Sequence, residues 1–187
     1  MKKISLFLSA FSILIITGCS TSKKLHKSEA SEESNIHSVV VIKKKVPDRV
    51  VDTKNVSPED LVNYAETLLG IKYKYGSESV ENGFDCSGFV NYVFDHFSIP
   101  VPRITVDFTN AGQEVPITQS KPGDIILFTG TDAKSGVVGH IGIITQNING
   151  EVKFIHASTS SGVIISGMNS YFLPRFVKVN RVFSGAP

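Results

Sequence analysis

Phe84-Asp85-Cys86-Ser87-Gly88-Phe89-Val90 is the stretch that decides how this chain is read. Beyond Cys86, apolar residues fall at 89, 90, 93, 94 and 97. That is helical spacing with one face turned to a core. It predicts a helix running to about Phe97, with Cys86 on the same face in the first turn. A helix N-terminus favours negative charge, so a thiolate is easier to form there. Free cysteine is also among the most buried residue types. The stretch alone leaves a reactive thiol and a small buried hydrophobe open.

Working outward, the second cysteine bears on the first. Cys19 ends the run Ile16-Thr17-Gly18-Cys19, which follows Lys2, Lys3 and an apolar segment from Ile4 to Ile16. That segment is too short to span a bilayer, which takes about 20 residues, but it suits an export signal. The junction looks like a bacterial lipobox, which implies cleavage after residue 18 and lipid on Cys19. Residues 1–18 are therefore read as a lipoprotein signal peptide. An exported domain whose partner cysteine is acylated keeps one unpaired thiol, Cys86, a candidate reactive group.

Residues 19–55 read as a flexible, lipid-anchored tether rich in Ser, Lys and Glu up to Ser38. As a coil, its residues 20–55 reach roughly 30–36 Å. Val39 to Ile42 has the composition of a short strand, ended by Lys43-Lys44-Lys45 and Pro47. The charge divides accordingly. Residues 1–55 hold ten Lys/Arg and five Asp/Glu (+5), and residues 56–187 hold nine and twelve (−3), for the overall +2. No basic patch with interleaved aromatics suggests a nucleic-acid partner.

Residues 56–187 read as one folded domain. Ser57-Pro58-Glu59-Asp60 has the marks of a helix start, and Gly70 those of its C-cap. Tyr73-Lys74-Tyr75-Gly76 is extended and leads into a loop over 77–83. Asp107 to Gly112 suggests a short helix. Past residue 120, apolar strand patterns cover Ile125–Phe128, Val138–Thr145, Val152–Ala157, Val163–Ile165 and Phe176–Phe183. Helices first and antiparallel strands afterwards predict an α+β domain.

Two histidines lie in those strands, in Gly139-His140-Ile141-Gly142-Ile143 and Phe154-Ile155-His156-Ala157-Ser158. Side chains alternate faces along a strand, so the connection decides whether they meet. A plain two-residue Asn149-Gly150 turn pairs His156 with Ile143 and separates them. A three-residue loop, Ile148-Asn149-Gly150, puts His156 opposite Gly142 and His140 diagonally across on the same face. A Cys-His-His site therefore requires an odd loop or a bulge. Such a set suits acyl transfer: Cys86 attacks, His140 takes and returns the proton, and His156 orients His140. Backbone N–H groups of Cys86 or Ser87, with a tyrosine hydroxyl, are the expected oxyanion donors. Zinc is the competing use of one Cys and two His, although no tight ligand pair supports it; no metal or cofactor is expected.

The chain resembles the NlpC-type, papain-like cysteine peptidases of bacterial cell walls. The resemblance spans Gly70 through Arg181. It rests on the stretches quoted above together with Val101-Pro102-Arg103 and Lys121-Pro122-Gly123-Asp124-Ile125. It implies a nucleophile-bearing helix packed on a central antiparallel sheet. It also implies hydrolysis of peptidoglycan stem peptides, usually between γ-D-glutamate and a diamino acid. By position, Cys86 matches the nucleophile, His140 the base, His156 the third polar residue and Tyr73 the tyrosine of the oxyanion and substrate pocket. Asp85, in helix capping or substrate-amine binding, Ser87 and Arg103 complete the expected substrate-side set. Ser77, Ile104 and Phe108 depart from the family pattern at positions expected near the substrate groove. The expected partners are stem peptides and, through Cys19, a membrane of the bacterial envelope: in a two-membrane envelope the outer membrane facing the periplasm, since Ser20 there resembles outer-membrane sorting, and otherwise the outer face of a single membrane. The domain is expected to be a monomer. A non-catalytic wall-binding protein and an amidase or acyltransferase on the same fold are the rival readings.

Overall fold

In the computed structural model, residues 50–183 are described. The signal segment, Cys19, the 39–42 strand and most of the tether lie outside them. Chain contact with the domain begins before residue 56. Val51 is buried in the core, and Lys54 Nζ donates to the Ser98 carbonyl at 2.7 Å.

Helix α1 spans Pro58–Glu66. Ser57 caps it, its hydroxyl accepting the Asp60 N–H at 3.0 Å, and Leu61, Val62 and Ala65 face the core. The regular helix ends four residues short of Gly70, which has φ +83° and instead bonds through its N–H to Val163 O at 2.9 Å. The expected loop 77–83 carries a small hairpin, β1 (Glu78–Ser79) and β2 (Gly83–Phe84). Helix α2 spans Cys86–His96, with Phe89, Val90, Val93 and Phe94 fully buried.

The remaining strands are β3 (Gln113–Val115), β4 (Ile125–Thr129), β5 (Val138–Ile148), β6 (Glu151–Ser158), β7 (Gly162–Gly167) and β8 (Phe176–Arg181). They form one antiparallel sheet in the order β3-β8-β4-β5-β6-β7. The short helix expected near 107–112 is a 3₁₀ helix over Thr105–Asn110. Alternation along the strands gives the sheet two apolar faces. Ile125, Leu127, Ile141, Ile143, Ile155 and Ala157 share a core with α1 and α2. Ile126, Phe128, Ile144, Phe154 and Val179 pack with Phe172 in a second cluster.

The β5–β6 connection is a two-residue turn rather than the three-residue loop. Ile148 pairs with Glu151 around Asn149 (φ 54°) and Gly150 (φ 87°), both left-handed as a type I′ turn requires. Parity is rescued farther along. The pairs Asn147–Val152 and Gln146–Lys153 give way to Ile144–Phe154 and Ile143–Ile155, so Thr145 is an extra residue. This bulge reverses the facing of everything before it. Gly142 then lies across from His156: a Cβ on Gly142 would stand 3.3 Å from the His156 Cβ.

The start of α2 is equally constrained. The Asp85 carboxylate accepts the Gly88 N–H, and its own N–H donates to Ser77 O at 2.8 Å. The Ser77 hydroxyl donates to Gly83 O at 2.7 Å and closes the loop. The Ser77 carbonyl comes so close to α2 that a Cβ on Gly88 would overlap it and sit 2.9 Å from Asp85 Oδ1. Gly88→Ala gains up to about 1 kcal/mol of helix propensity. Overlap with a backbone oxygen costs more, about 1–3 kcal/mol, because no side-chain rotation relieves it. Net destabilisation is therefore expected, read as a lower urea midpoint.

Candidate active site

Cys86, His140, His156 and Tyr73 line one cavity of about 570 Å³. Cys86 arrives as the first residue of α2. Tyr73 is placed by a single parallel bridge to Phe84: Lys74 N–H donates to Phe84 O at 3.0 Å, and Phe84 N–H to Lys72 O at 3.1 Å. The histidines come from neighbouring strands β5 and β6.

The imidazoles meet directly. His140 Nε2 and His156 Nδ1 are 2.9 Å apart, with rings at 88°. His156 Nε2 lies 3.0 Å from Ser166 Oγ on β7. Phe172 covers both rings, stacked on His140 at 6.3 Å and edge-on to His156 at 5.4 Å. Phe154 lies 5.1 Å from His156. This apolar cover removes water and disfavours a charged ring. Burial holds His140 down to about 4 and His156 to about 3, the latter helped by repulsion from His140. Both rings are neutral at pH 7.

Cys86 Sγ has Thr105 Oγ1 as its hydrogen-bond partner at 3.5 Å. Burial pushes the thiol above its ordinary value, and the Asp85 charge adds to this. The Thr105 hydroxyl and the backbone N–H groups of Ser87 and Cys86 pull the other way. The helix-terminus effect expected from sequence is therefore present but outweighed by desolvation. Burial thus favours the uncharged forms of the thiol and of both imidazoles. Removing the Thr105 hydroxyl by Thr105→Val takes away a bond to the thiolate. Iodoacetamide alkylation of Cys86 at pH 7 is expected to slow about 2- to 10-fold, as loss of one ordinary hydrogen bond implies.

Asp85, Ser87 and Arg103 form their own cluster. Arg103 Nη1 and Nη2 reach Asp85 Oδ1 and Oδ2 at 3.3 and 3.2 Å. Nη1 also reaches Ser87 Oγ at 3.1 Å, and Nε pairs with Glu78 at 2.8 Å. The Asp85 carboxylate is thus engaged as helix cap and ion-pair partner, and these three residues are absent from the cavity lining. Of the departures from the family pattern, Phe108 is fully buried in the core and Ser77 staples the 77–83 loop. Neither lines the cavity, contrary to expectation. Among the described residues, no three His, Cys, Asp or Glu side chains converge as a metal site.

Sequence reasoning missed Ser166, Phe172 and Arg175, all on the cavity wall. Ser166 had a signal. His156 pairs with Ile164, and alternation then places residue 166 on the same face. The other two lie on the β7–β8 connection, where no periodicity marks them.

The model of the NlpC/P60 family matches residues 70–181. The chain is 33% identical over 177 residues to the murein DD-endopeptidase MepS/murein LD-carboxypeptidase of Escherichia coli K12, covering 91% of this chain and 88% of that protein. It is 35% identical to the gamma-DL-glutamyl hydrolase of Bacillus subtilis, over 68% of this chain and 30% of that one. Among solved structures, an NlpC/P60 family protein from Bacillus cereus superposes with a TM-score of 0.62 at 25% identity, covering 70% of this chain and 41% of the other. With its cysteine-led helix on an antiparallel sheet and a match over the whole of that unit, the chain belongs to the NlpC/P60 family.

Proposed function

We propose that this protein is a cysteine peptidase that hydrolyses peptidoglycan stem peptides, with Cys86, His140 and His156 as its catalytic set. The observation that carries the reading is the 2.9 Å bond between His140 Nε2 and His156 Nδ1 in the cavity that Cys86 enters. With Nε2 engaged, Nδ1 is the His140 nitrogen left for the thiol. If His156 keeps its proton on Nε2 and donates it to Ser166 Oγ, its Nδ1 is an acceptor. His140 then donates from Nε2 and keeps a lone pair on Nδ1, the tautomer a general base needs.

From the neutral resting state, Cys86 loses its proton to His140 as Sγ attacks the scissile carbonyl. The tetrahedral oxygen takes the backbone N–H groups near Sγ, with Tyr73 at the wall. His140, now an imidazolium, protonates the leaving amine, and the C–N bond breaks. Water then attacks the thioester, with His140 again as base, and releases the acid and the thiol. His156 stabilises the transient charge on His140 through their shared bond.

Two bonds are the targets to separate. The family resemblance favours the γ-D-glutamyl–diamino acid bond, and the B. subtilis relative named a gamma-DL-glutamyl hydrolase is in line with it. A D,D cross-link is favoured by the E. coli relative named a DD-endopeptidase, which matches over nearly its whole length. Defined muropeptides distinguish them by mass spectrometry. A cross-linked dimer cut to intact monomers marks the D,D bond, and a monomer cut after D-glutamate marks the other. Uncut dimer and monomer alike would contradict the proposal. The proposed setting is the bacterial envelope, with the domain held at a membrane by lipid on Cys19. Loss of palmitate labelling in Cys19→Ala tests that anchor.

A further inference from the structure

Beside its aromatic residues, the cavity lining is rich in hydroxyls and includes one side-chain amide. Thr129, Thr131, Ser158, Ser160, Ser166 and Asn169 are among them. It contains no Asp, Glu or Lys, and Arg175 is its one permanently charged side chain. A neutral polar wall with a single cation selects for an anionic polar group.

The guanidinium is held in place by neutral acceptors. Nη1 donates to Tyr171 O at 2.9 Å and Nη2 to Thr131 O at 3.1 Å. Its carbon sits 4.0 Å from the centre of the Tyr171 ring. The presenting loop is itself fixed: Asn169 Oδ1 accepts the N–H groups of Tyr171 and Phe172 at 2.9 and 3.2 Å. The Arg175 Nε–H is buried and has no partner. With two N–H groups on carbonyls and the Nε–H buried, two of the five donors are left for a ligand. Among the described residues, the two other arginines are each paired with carboxylates: Arg103 with Glu78 and Asp85, and Arg181 with Asp124. Arg175 has none there. A rigid guanidinium with spare donors and no carboxylate partner among the described residues is suited to a carboxylate.

We infer that Arg175 is the specificity-determining residue of the cavity and binds a free carboxylate of the stem peptide. The inference rests on the reading of the protein as a stem-peptide hydrolase. It adds which chemical group of the substrate is recognised, and by which residue. A carboxylate there fixes the peptide at one end of the cavity while its scissile bond lies at Cys86. Amidation of that carboxylate removes the charge and puts an NH₂ donor against the guanidinium.

The test uses a synthetic tetrapeptide stem, L-Ala-γ-D-Glu-meso-diaminopimelate-D-Ala, and three versions each amidated at one carboxylate. Binding to Cys86→Ala protein is measured by calorimetry, so the readout does not need turnover. One amidation is expected to weaken binding about 10- to 100-fold, as loss of a charge-assisted pair implies. Adding Arg175→Gln should weaken the free stem by a similar factor and abolish its advantage over that amide. Arg175→Lys should retain part of the advantage. Thermal melts of each variant separate recognition from folding, and the comparison of amides on the unmutated cavity needs no substitution at 175. Equal binding of all four peptides, no binding of any, or a preference that survives Arg175→Gln would overturn the inference. If the amide preference is found and the active protein still cuts no stem, the hydrolase reading fails while the carboxylate site stands.

Discussion

Replacing His140 with alanine is expected to lower kcat/KM on a cleaved stem peptide roughly a thousandfold, the scale of a lost general base. The resting thiol is pushed up by burial and by Asp85, so little thiolate exists at pH 7 without help. A protein that relied on a preformed thiolate would tolerate the loss of His140 in the attack step. In the proposed mechanism the proton is transferred to His140 as the bond forms. The pH dependence carries the same signature. His140 is held down to about 4, so it stays a competent base from neutral pH to about pH 5. The acid limb of kcat/KM is expected near pH 4 rather than near 6.5, and His140→Ala should remove it. A thiolate–imidazolium resting pair would instead place a limb near pH 8 to 9, where the imidazolium loses its proton.

Acidification should destabilise the domain by about 3 kcal/mol through His140 alone. Folded, His140 stays neutral down to about pH 4; unfolded, it takes a proton near 6.5. Between those values the unfolded state holds the extra proton, so stability falls as the pH falls. Above 6.5 the full contribution is present. The span from 6.5 to about 4, at about 1.4 kcal/mol per pH unit, gives the figure. His156, held to about 3, adds a loss of the same sign. Urea midpoints at pH 7 and pH 4 measure the effect. A His140→Gln, His156→Gln double variant should lose most of the pH dependence. An equally steep dependence in that variant would place the acid sensitivity elsewhere.

The fold was legible where local chemistry decides it. Ser57-Pro58 marked α1, and the 89-90-93-94 spacing marked α2. The five long strands were legible as apolar runs. β3 and the 78–84 hairpin were not, because strands of two or three residues have no periodicity to read. The meeting of the histidines was half legible. Counting showed that the site needed an odd connection, but the extra residue is Thr145 within the strand, not Ile148 in the loop. Nothing about Thr145 marks a bulge in advance. The balance at Cys86 was left open because sequence shows the helix terminus but not the burial that opposes it. Arg175 was invisible for a related reason: a lone arginine in a connection gains meaning only when the cavity wall around it lacks carboxylates.

The most direct measurement is digestion of purified peptidoglycan by the protein and by its Cys86→Ala form, with soluble products identified by mass spectrometry. If the domain is a stem-peptide peptidase acting through Cys86, new stem-peptide fragments or separated cross-links appear with the unmutated protein and none with Cys86→Ala. The same products from both forms, or none from the unmutated protein on several wall types, would contradict it.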